Sequence, residues 1–370
     1  MSGKPGTLSE INDRVGSAWS SSLARIHVAR GVGRMALLLV VTFTFFAILR
    51  PGIFLNPVNL TNIGIAAPEI GLLSLAVMIA MLTGGIDLSV VAMANATAIT
   101  VSSLYTAVLT GQGEAAATSM TPLIVLAGLV VGLLLGAVNG VLISVVGITP
   151  ILATLGTMQL YNGLALVWTG GVTISGAPSE LRAMGSTAVV GVPVLMLVFL
   201  AAAAALAVMI NRTPIGRKVQ LQGANPVAAT YSGISKRSTL MMTYVTSGLL
   251  AAVAGLLFLS RNPSASADYG SSYVLLVIVI VVLGGTNPMG GFATVMGVVL
   301  ATLTLQVVSS GFTALRLSAY EYAIAQGTIL IGVMVLDQVR FRRRPPRPAP
   351  VVGDPQLVSH SRDQGTDGTP

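Results

Sequence analysis

The chain has 370 residues, of which 54% are apolar and only 9% charged, whereas a soluble domain of that size would be about one-quarter charged. Apolar runs of about 20 residues recur, long enough to span a hydrocarbon core of roughly 30 Å, so the composition describes an all-α polytopic membrane protein and disfavours a β-barrel, whose strands would alternate over about 10 residues. There is no cysteine, hence no disulfide framework, thiol nucleophile or thiolate metal site, and the net charge of +8 comes from cations placed beside the apolar runs, which suits orientation signals better than nucleic acid.

In chain order, residues 1–34 form a polar arm with Lys4, Arg14, Arg25, Arg30 and Arg34, without the layout of a signal peptide. A transmembrane domain over 35–338 follows, with ten predicted spans: Met35–Leu49, Ile63–Leu82, Val90–Leu109, Pro122–Val146, Ile151–Trp168, Val192–Ile210, Leu240–Leu259, Tyr273–Leu283, Phe292–Ser310 and Ala319–Leu336. The eighth is short and β-branched. Residues 339–370 are a basic tail whose composition predicts disorder.

Charge tests the count. Five cations lie in the arm, five in a polar interlude over 211–238 and six in the tail, leaving Arg50, Arg182, Arg261 and Arg316 as singletons. Positive charge stays cytoplasmic, so even numbers of spans must separate the three blocks. Six before the interlude and four after it satisfy this, with both termini and the interlude inside.

The interlude reads as two short helices. Thr213 can cap the first, Pro214 takes the position where a missing N–H costs nothing, Gly216 follows, and Gly223 can end it in the left-handed conformation. Asn225, Pro226, Ala228, Ala229 and Gly233 repeat that grammar. Helices of about two turns need something to lie against. The interlude is either a solvated loop or a docking surface for a cytosolic partner.

Two glycine pairs punctuate the spans. Leu82-Thr-Gly-Gly-Ile-Asp-Leu-Ser-Val90 brings Gly84, Gly85, Asp87 and Ser89 between the second and third spans; an acid at membrane depth marks a functional position, while the plainer reading makes Asp87 a helix cap. Gly284 and Gly285 open Gly284-Gly-Thr-Asn-Pro-Met-Gly-Gly291, a second hinge or a plain turn. Neither cluster is a phosphate loop. Glu69, Asn95, Asn139, Gln159, Asn162, Gln306 and Gln326 are polar residues within spans, suited to interhelical hydrogen bonds or, together, to a neutral path for a hydroxyl-rich solute. Most membrane glycines, including those of Ala127-Gly-Leu-Val-Val-Gly-Leu-Leu-Leu-Gly-Ala, read as packing devices. His27 and His360 lie outside the spans and the acids are scattered, so neither a catalytic base nor a metal cage is expected.

These segments, with Gly136-Ala-Val-Asn-Gly-Val-Leu-Ile, Pro150-Ile-Leu-Ala-Thr-Leu-Gly-Thr-Met, Gly223-Ala-Asn-Pro-Val-Ala-Ala, Ser232-Gly-Ile and Ser247-Gly-Leu-Leu-Ala-Ala-Val-Ala-Gly255, resemble the permease subunits of bacterial ABC importers for simple sugars of the ribose, xylose and rhamnose type, over Ile63–Leu336. The resemblance implies an inner-membrane permease of about ten helices that pairs with a second permease chain, identical or a sister. An extracytoplasmic sugar-binding protein would feed the pair, and an ABC ATPase subunit would bind ATP and Mg in place of this chain. The interlude would supply the coupling helices. Val91, Thr149-Pro150-Ile151, Val274, Leu276 and Ala293 depart from the family pattern. Two rival readings stay open: an ABC permease for branched-chain amino acids and an ion-coupled carrier.

Overall fold

A computed structural model describes residues 31–318, 320–325, 327–328 and 331. Most of the N-terminal arm, the basic tail, and Gln326 with much of the tenth expected span lie outside the described residues.

The elements in order are α1 (Gly31–Leu49), α2 (Pro51–Phe54), α3 (Pro57–Leu82), α4 (Val90–Gln112), α5 (Glu114–Val141) prolonged by a π-turn over Leu142–Val146, α6 (Pro150–Thr169), α7 (Ser179–Ser186), α8 (Val194–Arg212), α9 (Pro214–Ala224), α10 (Pro226–Tyr231), α11 (Lys236–Arg261), α12 (Tyr273–Leu283) and α13 (Val295–Ala314). Residues 320–325 are again helical. Two-stranded pairings join Ile174–Ser175 to Ser264–Ala265 and Ala188–Val189 to Val192–Pro193, both antiparallel. Among the described residues eight helices are long and apolar enough to cross a membrane, and they match the first seven predicted spans and the ninth. The eighth, α12, has 11 residues. At 1.5 Å per residue it is about 16 Å long, half the hydrocarbon thickness.

The core is built on α3 and α11. Helix α11 packs against α3, α4 and α5, and α3 also meets α8, α12 and α13. Both are buried over most of their length, whereas α1, α5, α6 and α8 present one broad apolar face outward. Glycines set the closest approaches. On α5, Gly128, Gly132, Gly136 and Gly140 recur every fourth residue, so they share one face. A Cβ at Gly132 would lie 2.8 Å from the Gly248 carbonyl oxygen of α11, and one at Gly136 would lie 3.0 Å from the Gly248 Cα. The two backbones therefore touch without side chains between them, which is how helices associate where lipid supplies no hydrophobic drive. The packing role read from the sequence holds for this stripe.

Two local expectations change. Helix α9 runs 11 residues to Ala224, so Gly223 is inside the helix and does not adopt the left-handed cap. Glycine is required there for closeness, as described below. Asp87 does not cap α4: the cap position is Ser89, and Asp87 accepts from Ser89 and from another helix. At the far end of the chain, Ser318 and Glu321 form a reciprocal capping box, with the Ser318 N–H donating to Glu321 Oε2 at 2.6 Å and the Glu321 N–H donating to Ser318 Oγ at 3.3 Å.

Candidate functional site

The polar residues gather in three places. The first is the loop Thr83–Ser89 between α3 and α4. Gly84 takes φ +82°, a conformation that only glycine adopts freely, and lets the chain turn sharply out of α3. Asp87 then points inward and is fully buried. Its Oδ1 accepts from the Ser89 hydroxyl at 2.7 Å and the Ser89 N–H at 3.1 Å, and its Oδ2 accepts from the Ser247 hydroxyl of α11 at 2.8 Å. Asn139 of α5 donates to Ser89 Oγ at 2.7 Å, and the Tyr161 hydroxyl of α6 donates to the Leu135 carbonyl at 2.9 Å with a longer 3.4 Å approach to Asn139 Oδ1. Thr154 of α6 donates to the Ile86 carbonyl at 3.0 Å. One carboxyl thus ties the loop to α11 directly, and to α5 and α6 through Ser89 and Asn139. Among the described residues no cation pairs with Asp87, so its burial rests on hydroxyl and amide donors. Ser247, Thr154 and Tyr161 were missed as partners, because nothing in a lone serine at 247 announces an acid 160 residues away.

The second place is the basic interlude. Thr213 accepts from the Gly216 N–H at 3.3 Å, Asn225 accepts from the Ala228 N–H at 3.0 Å, and Gly233, at φ +76°, ends the second helix. Pro214 and Pro226 sit in the first turns as expected, Gly216 lies against the Ile210 backbone and Ala229 is the buried residue of α10. The outward side carries Arg212, Arg217, Lys218, Lys236 and Arg237 with Leu221, Val227 and Tyr231, all exposed. Tyr231 is 89% exposed and Val227 65%.

The third lies around the α11–α12 connection, where it meets Asn95 of α4 and Glu69 of α3. Asn95 of α4 donates to the Ala267 and Tyr269 carbonyls at 2.9 and 2.8 Å, clamping the α11–α12 connection. The Tyr269 hydroxyl donates to Glu69 Oε2 at 3.3 Å, and Arg261 stands 3.7 Å from the same oxygen. Burial, and then the neighbouring Glu69, hold the Tyr269 phenol above its usual range, so it remains a donor. The Tyr269 ring stacks on Phe258 at 3.5 Å. The cavity beside them is about 10 Å³, room for one water at most. Asn95→Ala is expected to free residues 262–272, costing about 1–3 kcal/mol for the bonds lost. Hydrogen exchange confined to that segment measures it, with the remaining spans unchanged.

Gly284 and Gly285 do not meet the Asp87 loop. Gly284 packs on α13, where a Cβ would lie 2.8 Å from the Val298 nitrogen, and Gly285 turns in open space at φ +86°. Asn287 folds the segment back: its side chain donates to the Gly290 carbonyl at 2.9 Å and accepts from the Met289 N–H at 3.0 Å. The result is that Gly290 and Gly291, rather than the first pair, touch the Asp87 loop and α9. Gln159 on α6 is exposed, and the flanking Gly156 and Gly163 have nothing within 4 Å of a Cβ.

A family described as branched-chain amino acid transport system / permease component matches residues 59–336, nearly all of the membrane region. The chain belongs to this permease family. It is 32% identical over 294 residues to the ribose import permease protein RbsC of Bacillus subtilis (strain 168), covering 79% of this chain and 88% of that one. It is 35% identical over 266 residues to the autoinducer 2 import system permease protein LsrC of Enterobacter sp. (strain 638), covering 72% and 75%. To the D-allose transport system permease protein AlsC of Escherichia coli (strain K12) it is 28% identical over 304 residues, covering 82% and 90%. No solved structure matches. Membership fits the all-helical, multi-pass fold, and the protein is a transport permease.

Proposed function

We propose that this permease is the membrane subunit of an ATP-driven importer for a simple sugar, delivered by an extracytoplasmic binding protein. The observation that carries the reading is the α9–α10 segment. It is a pair of capped helices bearing Arg217 and Lys218, flanked by Arg212, Lys236 and Arg237 on the adjoining ends of α8 and α11, all five exposed, with no acid and with exposed Leu221, Val227 and Tyr231. A surface both cationic and apolar at its crown suits an acidic-rimmed groove on a partner, and an ABC ATPase subunit, holding ATP and Mg, is that partner. Similarity to the ribose, autoinducer 2 and allose permeases favours a sugar as cargo over a branched-chain amino acid.

The α9–α10 segment and both chain termini face the cytoplasm of a bacterial inner membrane in this reading, which the placement of cations supports. Gly84, Gly85, Asp87, Ser89 and Asn139 form the gate at that side. A second permease chain, a copy or a sister, seats on α6. The exposed amide of Gln159 between two open glycines would otherwise face hydrocarbon, where an unsatisfied polar group costs several kcal/mol. Sugar then passes between the two chains, past Gln159.

The test is to purify the permease with its genomically neighbouring ATPase and measure uptake in proteoliposomes with ATP and binding protein. ATP-dependent uptake is expected. Uptake by the isolated chain on an ion gradient without nucleotide would establish the carrier reading instead. Asn225→Ala, which removes a cap worth about 1 kcal/mol, is expected to lower ATPase copurification without lowering the amount of permease in the membrane.

A further inference from the structure

Three segments far apart in sequence meet backbone to backbone at the base of α9. The Gly291 N–H donates to the Leu82 carbonyl, the last of α3, at 2.9 Å. Gly223 of α9 presses on the same pair: a Cβ there would lie 2.6 Å from the Gly291 nitrogen and collide with the Leu82 oxygen. A Cβ at Gly290 would lie 2.7 Å from the Gly84 nitrogen and 2.9 Å from the Gly223 oxygen, and one at Gly291 would lie 2.8 Å from the Ala224 Cα. Gly84, Gly290 and Gly291 all have positive φ, at +82°, +90° and +80°. Each closest neighbour is main chain. No rotamer stands between the elements to absorb a displacement, and close-packed backbone transmits it.

We infer that Leu82, Gly84, Gly223, Gly290 and Gly291 form a junction through which movement of the α9–α10 segment reaches the Asp87 loop, making Gly290 and Gly291 positioning residues for transport. The inference rests on the proposed role of α9–α10 as the part driven by the ATPase. The loop is held from two sides. On one, the junction grips Gly84. On the other, Asp87 is bonded to Ser247, and Gly85 lies so close to the Tyr244 hydroxyl and Pro150 that a Cβ would stand 2.5 and 2.8 Å from them. A push at Gly223 therefore arrives three residues from the buried carboxyl. Helix α13, which follows the Gly290–Gly291 turn, is engaged by the same contact, so one input moves two spans together.

Because the chain lacks cysteine, Thr83→Cys, at a half-exposed position beside the junction, gives a single reporter. It is placed in the permease–ATPase complex in nanodiscs, and thiol labelling is measured without nucleotide and with trapped ATP. The Gly290→Ala and Gly291→Ala changes are added to it, with Gly147→Ala as control: Gly147 has φ +87° but nothing within 4 Å of a Cβ, so it carries similar backbone strain without the contact. The expected result is a nucleotide-dependent labelling change of about tenfold in the reporter and the Gly147→Ala protein, and its loss in the junction variants. ATP hydrolysis should persist in all of them while uptake falls about tenfold or more in the junction variants alone. Should the alanine variants not accumulate, one glycine inserted between Met289 and Gly290 slackens the contact without adding a side chain, and the same loss is expected. Retention of the labelling response and uptake in the junction or insertion variants overturns the inference and leaves the importer reading standing. Absence of both in the complex that carries the Thr83→Cys reporter alone overturns the importer reading and the inference with it.

Discussion

Asp87→Ala is expected to abolish ATP-dependent uptake and to lower the thermal stability of the detergent-purified permease. The carboxyl receives the Ser89 hydroxyl, the Ser89 N–H and the Ser247 hydroxyl inside a site that water does not reach. Hydrogen bonds to such a group contribute about 1.5–3 kcal/mol each when charge-assisted, and a donor left buried without a partner costs about 1–3 kcal/mol. Losses within one network do not add, so the net cost is expected near 3 kcal/mol. Asp87→Asn keeps shape and one acceptor oxygen for Ser89, and Ser247 can rotate to accept from the new amide. That variant should accumulate and melt like the parent. Thermal aggregation of the two proteins, read beside uptake, separates a structural collapse from a gate that fails. Equal melting of the alanine and asparagine variants would show that the network does not hold the loop.

Gly136→Leu is expected to remove most folded protein from the membrane. A Cβ at this position would already lie 3.0 Å from the Gly248 Cα and collide with the Tyr244 carbonyl oxygen. Overpacking typically costs about 1–3 kcal/mol and more where backbone must part, and here two spans would have to separate over their common face. Gly156→Leu on α6 is the matched case, since nothing lies within 4 Å of its Cβ. It should accumulate and run as a folded monomer in detergent, but it should weaken pairing with the second chain. Quantitative blotting of membranes and size-exclusion profiles measure both.

How much could be read beforehand depends on whether a signal is local. The first seven spans and the ninth were legible because each is a contiguous apolar run. The caps at Thr213 and Asn225 were legible because a capping side chain bonds within three residues of itself. Gly128, Gly132 and Gly136 were legible as packing residues because small residues crowd that run, though Gly248, the partner of the last two, was not. Gly223 was assigned to glycine's conformational freedom when the requirement is closeness to Leu82, and the two demands leave the same letter in the sequence. Gly284 and Gly285 drew notice as a pair, while Gly290 and Gly291, at the end of the same motif, make the contact. Asn287 decides which pair does so by folding the turn onto itself. Pairings across long sequence distances, such as Asp87 with Ser247 or Asn95 with Ala267, carry no periodicity and no motif.

The half-length of α12 bears on how the protein is made. Eleven residues insert poorly on their own, because such a segment cannot bridge the hydrocarbon and leaves polar ends inside it. During synthesis α12 must wait for α13, against which it packs together with α3, and the two enter as a hairpin. A chain halted before α13 is complete should therefore leave α12 without the neighbour it packs against.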